Sequence, residues 1–140
     1  MSDLPPNALT VEDILAIQEE VVCATGGARG VLHPGVIESA VARPYQAVFG
    51  VELYPSPFDK AAAMAQTIAH DHPFRDGNKR TAMQATAELL WRLGWDLPLE
   101  EDFDEAERVV LDLATAAIGW EAFSAWLRTR ARPLPKPEIP

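Results

Sequence analysis

The sequence predicts an all-α domain in which helices pack on helices. Apolar residues recur with helical spacing between recognisable helix caps, and no alternation of apolar and polar residues indicates a ladder of strands. The chain has 140 residues, of which 48% are hydrophobic and 24% charged, as is typical of a single folded domain. We therefore predict one compact helical bundle over residues 9–130. Prolines concentrate outside it, so we expect a flexible N-terminus over residues 1–8 and a flexible proline-rich tail over residues 131–140.

Local start and stop signals place the first three helices. Thr10 and Asp13 resemble a capping box, and Gly26 ends the helix that they begin. A short second helix covers residues 35–42. Ser56 is a cap residue followed by a proline at the first helical position, so a third, alanine-rich helix begins there.

Three further helices complete the predicted bundle. A fourth covers residues 77–94, and its expected buried side consists of Met83, Ala87, Leu90 and Trp91. Asp102 or Asp104 caps a fifth, and Gly119 separates it from a sixth. Residues 45–54 mix Val, Phe and Tyr around a glycine and predict a short hairpin or a loop.

Charge and cysteine content narrow the class of protein. The 12 Lys and Arg residues against 21 Asp and Glu residues give a net charge of −9, which argues against direct binding to nucleic acids or anionic membranes. The single cysteine cannot form an intramolecular disulfide and points to a reducing compartment. No apolar run approaches the roughly 18 residues that span a bilayer, and the N-terminus lacks a secretory pattern. We therefore expect a cytoplasmic protein.

The loop between the third and fourth predicted helices breaks a local rule. Lys79 and Arg80 fall in the first turn of a helix, where the macrodipole disfavours cations, although the chain is otherwise acidic. Such a violation usually marks a functional site, and a bound anion is the simplest compensation. Free backbone N–H groups at a helix N-terminus, the permissive Gly77 and the two cations together predict a phosphate-binding site.

Two neighbouring side chains add catalytic chemistry to this loop. Asp76 offers a hard oxygen ligand for Mg²⁺, which binds through one or two carboxylates plus substrate phosphates. His72 offers an imidazole, the group that most often serves as a general base near neutral pH. A base, a metal ligand and phosphate-binding groups within one loop predict phosphoryl or nucleotidyl transfer.

The eleven residues from His72 to Ala82 read His-Pro-Phe-Arg-Asp-Gly-Asn-Lys-Arg-Thr-Ala. This stretch resembles the motif of the Fic/Doc superfamily, and most closely that of its Doc branch, the death-on-curing toxins of bacterial toxin–antitoxin pairs. Further similar stretches run from Leu9 to Gly94, so that the resemblance covers most of the chain.

The resemblance implies a Fic/Doc-type helical fold and an activity. Doc proteins act as protein kinases that pass the γ-phosphate of ATP to a threonine of elongation factor Tu and so arrest translation. By resemblance, His72 would deprotonate the hydroxyl, Asp76 would hold Mg²⁺, and Phe74 would be the buried anchor of the loop. The phosphates of ATP would be gripped by Gly77, Asn78, Lys79 and Arg80.

Two positions depart from the pattern of Fic enzymes, which transfer AMP from ATP to a protein hydroxyl. Lys79 stands where Fic enzymes have a second glycine, and Met83 stands where they have a second arginine. Doc proteins share the lysine, so the kinase is favoured. A Fic-type adenylyltransferase is the alternative. A non-catalytic member that only binds a partner is a second alternative, against which the intact His, Asp, Asn and Arg positions argue.

The resemblance also implies a protein partner. Toxins of this branch are silenced by an antitoxin whose disordered C-terminal segment folds onto the toxin, which requires an apolar groove. We expect the groove walls near the first helix and residues 45–54, where large apolar residues are in surplus. The alternative is that Val48, Phe49 and Leu53 cover the core.

Other conspicuous side chains receive structural interpretations. Arg75 is expected on the solvated surface, and Cys23 is expected to be an inert helix residue. His70 and His72 would point to different faces of a helix, and no second His or Cys pair accompanies them, so a zinc site is not expected.

Overall fold

Six α-helices form the domain in the computed structural model, which describes residues 4–136. In chain order they are α1 (Val11–Thr25), α2 (Pro34–Ala42), α3 (Pro57–Asp71), α4 (Asn78–Arg92), α5 (Phe103–Ala114) and α6 (Trp120–Arg130). The predicted all-α class is therefore confirmed. Among the described residues, no helix is long and apolar enough to cross a membrane.

Four two-residue strands and two short 3₁₀ turns complete the described chain. Strands β1 (Ala47–Val48) and β2 (Val51–Glu52) pair antiparallel across a turn in which Phe49 and Gly50 both have positive φ. This is the tight hairpin predicted for residues 45–54. The 3₁₀ turns are Arg43–Tyr45 and Leu99–Asp102; the other strands are β3 (Trp95–Asp96) and β4 (Arg132–Pro133).

Thr10 and Ser56 cap their helices as predicted, whereas Asp102 lies at the N-cap position of α5 without a side-chain cap hydrogen bond. The Thr10 side chain accepts a hydrogen bond from the Asp13 N–H, and the Asp13 carboxylate accepts one from the Thr10 N–H, so the capping box is complete. The Ser56 hydroxyl accepts a hydrogen bond from the Asp59 N–H at the start of α3. Each cap satisfies backbone N–H groups that the first helical turn leaves without partners.

Helix α3 lies at the centre of the bundle and contacts α2, α4, α5 and α6. Small side chains let those neighbours approach closely on several sides, and the completely buried alanines of α3 are Ala61, Ala62, Ala63, Ala65 and Ala69. The motif residues therefore lie between two packed helices, because α3 ends and α4 begins at the same loop.

The buried side of α4 is rotated from the expected one. Met83 and Leu90 are buried as predicted, whereas Trp91 is 56% exposed. Thr81 and Thr86 take part in the buried side instead, and the Thr86 hydroxyl donates to the Ala82 carbonyl at 2.8 Å. A threonine that satisfies its hydroxyl within its own helix packs like an apolar residue, which a pattern of apolar residues alone does not reveal.

Both ends of the described chain make contacts that the proline content did not predict. Ala8 is buried, and its carbonyl accepts a hydrogen bond from Arg92 at 3.1 Å. Strand β4 pairs with β3, and the Leu134 N–H donates to the Gly94 carbonyl. Proline tolerates an extended edge position, so residues 132 and 133 pair as a strand, and the flexibility predicted for the tail stays a prediction. Residues 1–3 and 137–140 lie outside the described residues.

Ion pairs attach the C-terminal chain to α5 and the turn before it. Arg130 contacts both Asp102 and Glu105, and Arg132 pairs with Glu101 at 2.7 Å. The guanidinium of Arg130 and the hydrogen bond from the Trp126 indole N–H lower the pKa of Glu105 to about 2. Both partners lie on α6, so Glu105 links α5 to α6.

Candidate active site

The motif loop, residues 72–77, begins at His72, whose backbone has the left-handed conformation common at the C-terminal ends of helices. His72 ends α3 with φ 50° and ψ 66°, in the left-handed region that residues other than glycine rarely adopt. Its side chain is exposed and has no hydrogen-bond partner in the described part of the chain. Backbone strain of this kind concentrates at functional sites, and the imidazole is free to meet a ligand.

Phe74 anchors the loop in the core, as predicted. Its side chain is 1% exposed. The Asn78 side chain grips the same residue: its Oδ1 accepts from the Phe74 N–H at 2.9 Å, and its Nδ2 donates to the Phe74 carbonyl at 2.8 Å. The Asn78 amide thus organises the loop in this structure, and contact between Asn78 and phosphate stays a prediction.

Gly77 lets the chain turn from the loop into α4. Its φ is 78°, and a Cβ there would lie 3.1 Å from Cγ1 of Val21, so any other residue would meet both strain and a steric contact. No side chain caps the start of α4, and Lys79 and Arg80 occupy its first turn, both exposed. The arrangement of backbone N–H groups and cations predicted for anion binding is therefore present in the geometry.

Asp76 presents a carboxylate to solvent with one oxygen already engaged. Oδ2 accepts a hydrogen bond from the Ala28 N–H at 2.7 Å, and Oδ1 has no hydrogen-bond partner among residues 4–136. In the same range no three His, Cys, Asp or Glu side chains come together as a metal cluster. A single carboxylate beside the uncapped start of α4 is a donor set that fits Mg²⁺, because this ion keeps several waters and takes further ligands from substrate phosphates.

Arg80 reaches from α4 across to α5. Its Nη2 lies 3.4 Å from Oε1 of Glu107, and its guanidinium lies 5.4 Å from the ring centroid of Phe103. Both charged side chains are about half exposed, so the ion pair is weak and a bound phosphate can compete with it.

A groove of about 630 Å³ opens beside these cations, between α1, α4 and α5. Lys79 and Arg80 line the end of the groove at which α4 begins, and Glu88 lines it two turns further on. Its apolar lining consists of Ile17, Val21, Ala24, Met83, Leu99, Phe103, Ala106, Val110 and Leu111. Met83, at the position where Fic enzymes have a second arginine, is buried in this lining.

The hairpin is not part of this groove. None of residues 45–54 lines it, whereas residues of the first helix do, and which surface receives the antitoxin segment stays a prediction. The alternative, that hairpin residues cover the core, is wrong: Val48 and Leu53 are about half exposed, and Phe49 at the tip is fully exposed. Two cations attach the hairpin to the helices. Lys60 of α3 donates to the Tyr54 carbonyl and to Glu52, and Arg43 donates to the Tyr54 hydroxyl.

Sequence reasoning missed two contributors to the loop. Residues 26–33, interpreted only as the stop of α1 and a connection, run alongside the motif loop and bond to its backbone. Thr81 lies beneath Gly77 and is completely buried, with no hydrogen-bond partner for its hydroxyl among the described residues. Gly27 was the available signal for the first, since a Cβ there would lie 3.3 Å from the Asp76 Cβ.

Comparison with known proteins places this site in a family. The sequence profile of the Fic/DOC family matches residues 8–90, which include α1 to α3, the motif loop and most of α4. The chain belongs to the Fic/DOC family.

Two curated relatives are similar over most of the chain. The protein named Toxin Doc from Mycolicibacterium smegmatis (strain ATCC 700084 / mc(2)155) is 40% identical over 104 residues, which are 74% of this chain and 80% of that protein. The protein named Protein kinase doc from Escherichia phage P1 is 29% identical over 108 residues, which are 77% of this chain and 81% of that protein.

Proposed function

We propose that this protein is the toxin of a toxin–antitoxin pair and acts as a Mg·ATP-dependent protein kinase. Its proposed target is a serine or threonine hydroxyl of a translation factor, elongation factor Tu, so that translation stops. The observation that carries the proposal is the motif loop, in which an unpaired imidazole, a carboxylate with a free oxygen and an uncapped, cation-bearing helix start lie within nine residues. The name Toxin Doc of one relative supports the role as a toxin, and the name Protein kinase doc of the other supports the kinase activity.

The side chains divide the reaction between them. His72 takes the proton from the protein hydroxyl, whose oxygen attacks the γ-phosphorus of ATP while the bond to the β-phosphate oxygen breaks and ADP leaves. Lys79, Arg80 and the N–H groups that follow Gly77 hold the phosphates. Asp76 holds Mg²⁺, which neutralises phosphate charge when bound.

Two residues favour phosphoryl transfer over the alternative, adenylyl transfer. Lys79 carries a long side chain where an adenylyltransferase has glycine, so the backbone at this position is less open to a phosphate. Met83 is buried against the groove and supplies no charge where an adenylyltransferase has its second arginine. The loss of that cation removes one phosphate clamp from the site.

Labelled ATP tests the proposal directly. When the protein is incubated with elongation factor Tu, Mg²⁺ and ATP labelled at the γ position, we expect the label to enter elongation factor Tu, whereas label at the α position stays in nucleotide. Entry of the α label instead would establish the adenylyltransferase. If neither label entered elongation factor Tu, the proposed substrate would be wrong, and entry into no protein of a cell extract would favour a non-catalytic role.

The groove between α1, α4 and α5 is the proposed site for the antitoxin segment. It offers an apolar lining long enough for a helix with anchors at i, i+3, i+4 and i+7. Its occupant would also reach Lys79 and Arg80, which line the same groove, and so would keep phosphates away from α4. Neutralisation would then follow from competition at the phosphate site.

A groove variant and a hairpin variant separate the two candidate surfaces for the antitoxin. Leu111 is about half exposed in the groove, so Leu111→Lys should preserve the melting temperature and lower affinity for a peptide of the antitoxin C-terminal segment about 10-fold. Phe49→Ser is the matched control, because Phe49 is exposed but lies outside the groove. Affinity is measured by calorimetry. If only Phe49→Ser lost affinity for the peptide, the antitoxin would bind at the hairpin and not in the groove.

A further inference from the structure

The segment that follows α1, residues 26–33, forms a second backbone layer beside the motif loop. The Gly30 carbonyl accepts from the Arg75 N–H at 3.0 Å, and the Pro73 carbonyl accepts from the N–H groups of Leu32 and His33 at 2.8 and 3.1 Å. Hydrogen bonds at three points along the segment fix its register against the loop. We call residues 26–33 the companion segment.

The companion segment reaches the side chain of Asp76 at one point. The Ala28 N–H donates to Oδ2 at 2.7 Å, a short distance typical of a hydrogen bond to a charged oxygen. This bond holds one carboxylate oxygen on the protein and so limits rotation of the group. The other oxygen, Oδ1, is thereby presented in one direction.

Gly27 makes that hydrogen bond sterically feasible. A Cβ at this position would lie 3.3 Å from the Asp76 Cβ, closer than most such contacts, and at the ordinary van der Waals distance of 3.6 Å from Oδ2. The φ of Gly27 does not lie in the left-handed region, so the glycine serves here to leave room for Asp76 and not to relieve backbone strain. A Cβ at residue 27 therefore requires the Asp76 Cβ to shift by a few tenths of an ångström, which strains the hydrogen bond between the Ala28 N–H and Oδ2.

A second hydrogen bond supports Asp76 from α1. Gln18 is 6% exposed, and its Nε2 donates to the Asp76 main-chain carbonyl at 3.4 Å. The backbone and the side chain of Asp76 are thus held from two different places on the chain, both outside the motif. Outer partners of this kind set how well a metal-binding carboxylate is oriented.

We propose that Gly27, Ala28 and Gln18 are positioning residues for the Mg²⁺ carboxylate: they orient Asp76 so that Oδ1 faces the metal. This inference rests on the proposed function, in which Asp76 binds Mg²⁺. It adds that metal affinity depends on residues of α1 and the companion segment that lie about fifty positions earlier in the chain than the motif.

The test compares two glycine-to-alanine variants. Gly27→Ala should raise the Mg²⁺ concentration needed for half-maximal binding, measured by calorimetry with a non-hydrolysable ATP analogue, on the order of 10-fold. Gly35→Ala is the matched control, because a Cβ there meets nothing within 4 Å. Both variants should keep the wild-type melting temperature in EDTA, and high Mg²⁺ should restore kinase activity to Gly27→Ala.

A second variant removes the donor of that hydrogen bond. Ala28→Pro lacks the N–H, and its ring Cδ stands where the proton pointed at Oδ2, so it should weaken Mg²⁺ binding in the same direction. If Gly27→Ala and Ala28→Pro bound Mg²⁺ as tightly as Gly35→Ala does, the positioning role would be overturned while the proposed function stood. A wild-type protein whose binding of the ATP analogue is independent of Mg²⁺ would overturn the metal role of Asp76 itself, and this inference with it.

Discussion

His72→Ala is expected to lower the rate of phosphate transfer by a factor on the order of 10²–10⁴, the usual contribution of a general base. The fold should survive, because the imidazole is exposed and makes no hydrogen bond within residues 4–136. Alanine at a φ of 50° adds little strain beyond what histidine already bears there. Transfer of γ-labelled phosphate measures the rate, and the melting temperature reports the fold.

His70→Ala is the matched control for this variant. His70 lies two residues earlier, is also exposed, and pairs with Asp71 at 3.0 Å outside the motif loop. We expect it to retain wild-type activity. Growth arrest by the His72→Ala variant in a host without the antitoxin would show that another group acts as the base.

Asp76→Asn is expected to abolish most of the Mg²⁺ dependence together with the activity. The neutral amide is a poorer ligand for a hard cation, yet its oxygen can still accept the hydrogen bond of the Ala28 N–H, so that the loop is preserved. Ligand binding stabilises a folded protein by mass action, by about 2.7 kcal/mol at a concentration 100 times the Kd. Mg·ATP should therefore raise the melting temperature of the wild type by several degrees and that of the variant much less.

Asp71→Asn controls for the loss of a negative charge near the loop. Asp71 is exposed at the end of α3 and has no place in the motif. Its replacement should leave the Mg·ATP-induced increase in melting temperature at the wild-type value. Equal increases for the wild type and the Asp76→Asn variant would remove Asp76 from the metal site.

Features that act over a few residues could be predicted from the sequence. The caps at Thr10 and Ser56, the positive-φ turn at Gly77 and the buried position of Phe74 depend on neighbouring residues or on the motif itself. The two cations in the first turn of α4, Lys79 and Arg80, are also a local feature of the sequence. Because they violate the helix-dipole rule, the sequence alone indicates where the candidate site lies.

Features that depend on how helices face one another could not be predicted in this way. The groove exists because α1, α4 and α5 leave a gap beside Lys79, and no sequence pattern states which three helices will meet. Trp91 is expected inside because it is apolar, but the threonines of α4 face the core in its place. Helical spacing defines the positions that share a face and leaves open how that face is oriented.

The sequence by itself determined the class of fold, the helix starts and the residues of the motif loop, because each of these is encoded within about one helical turn of the residues concerned. The tertiary structure alone decided which residues support the loop. The Ala28 N–H and the Gln18 side chain reach Asp76 from positions 48 and 58 residues away. Contacts across such separations arise only when α1 packs against α4, since the burial of apolar faces brings together residues that have no local relation.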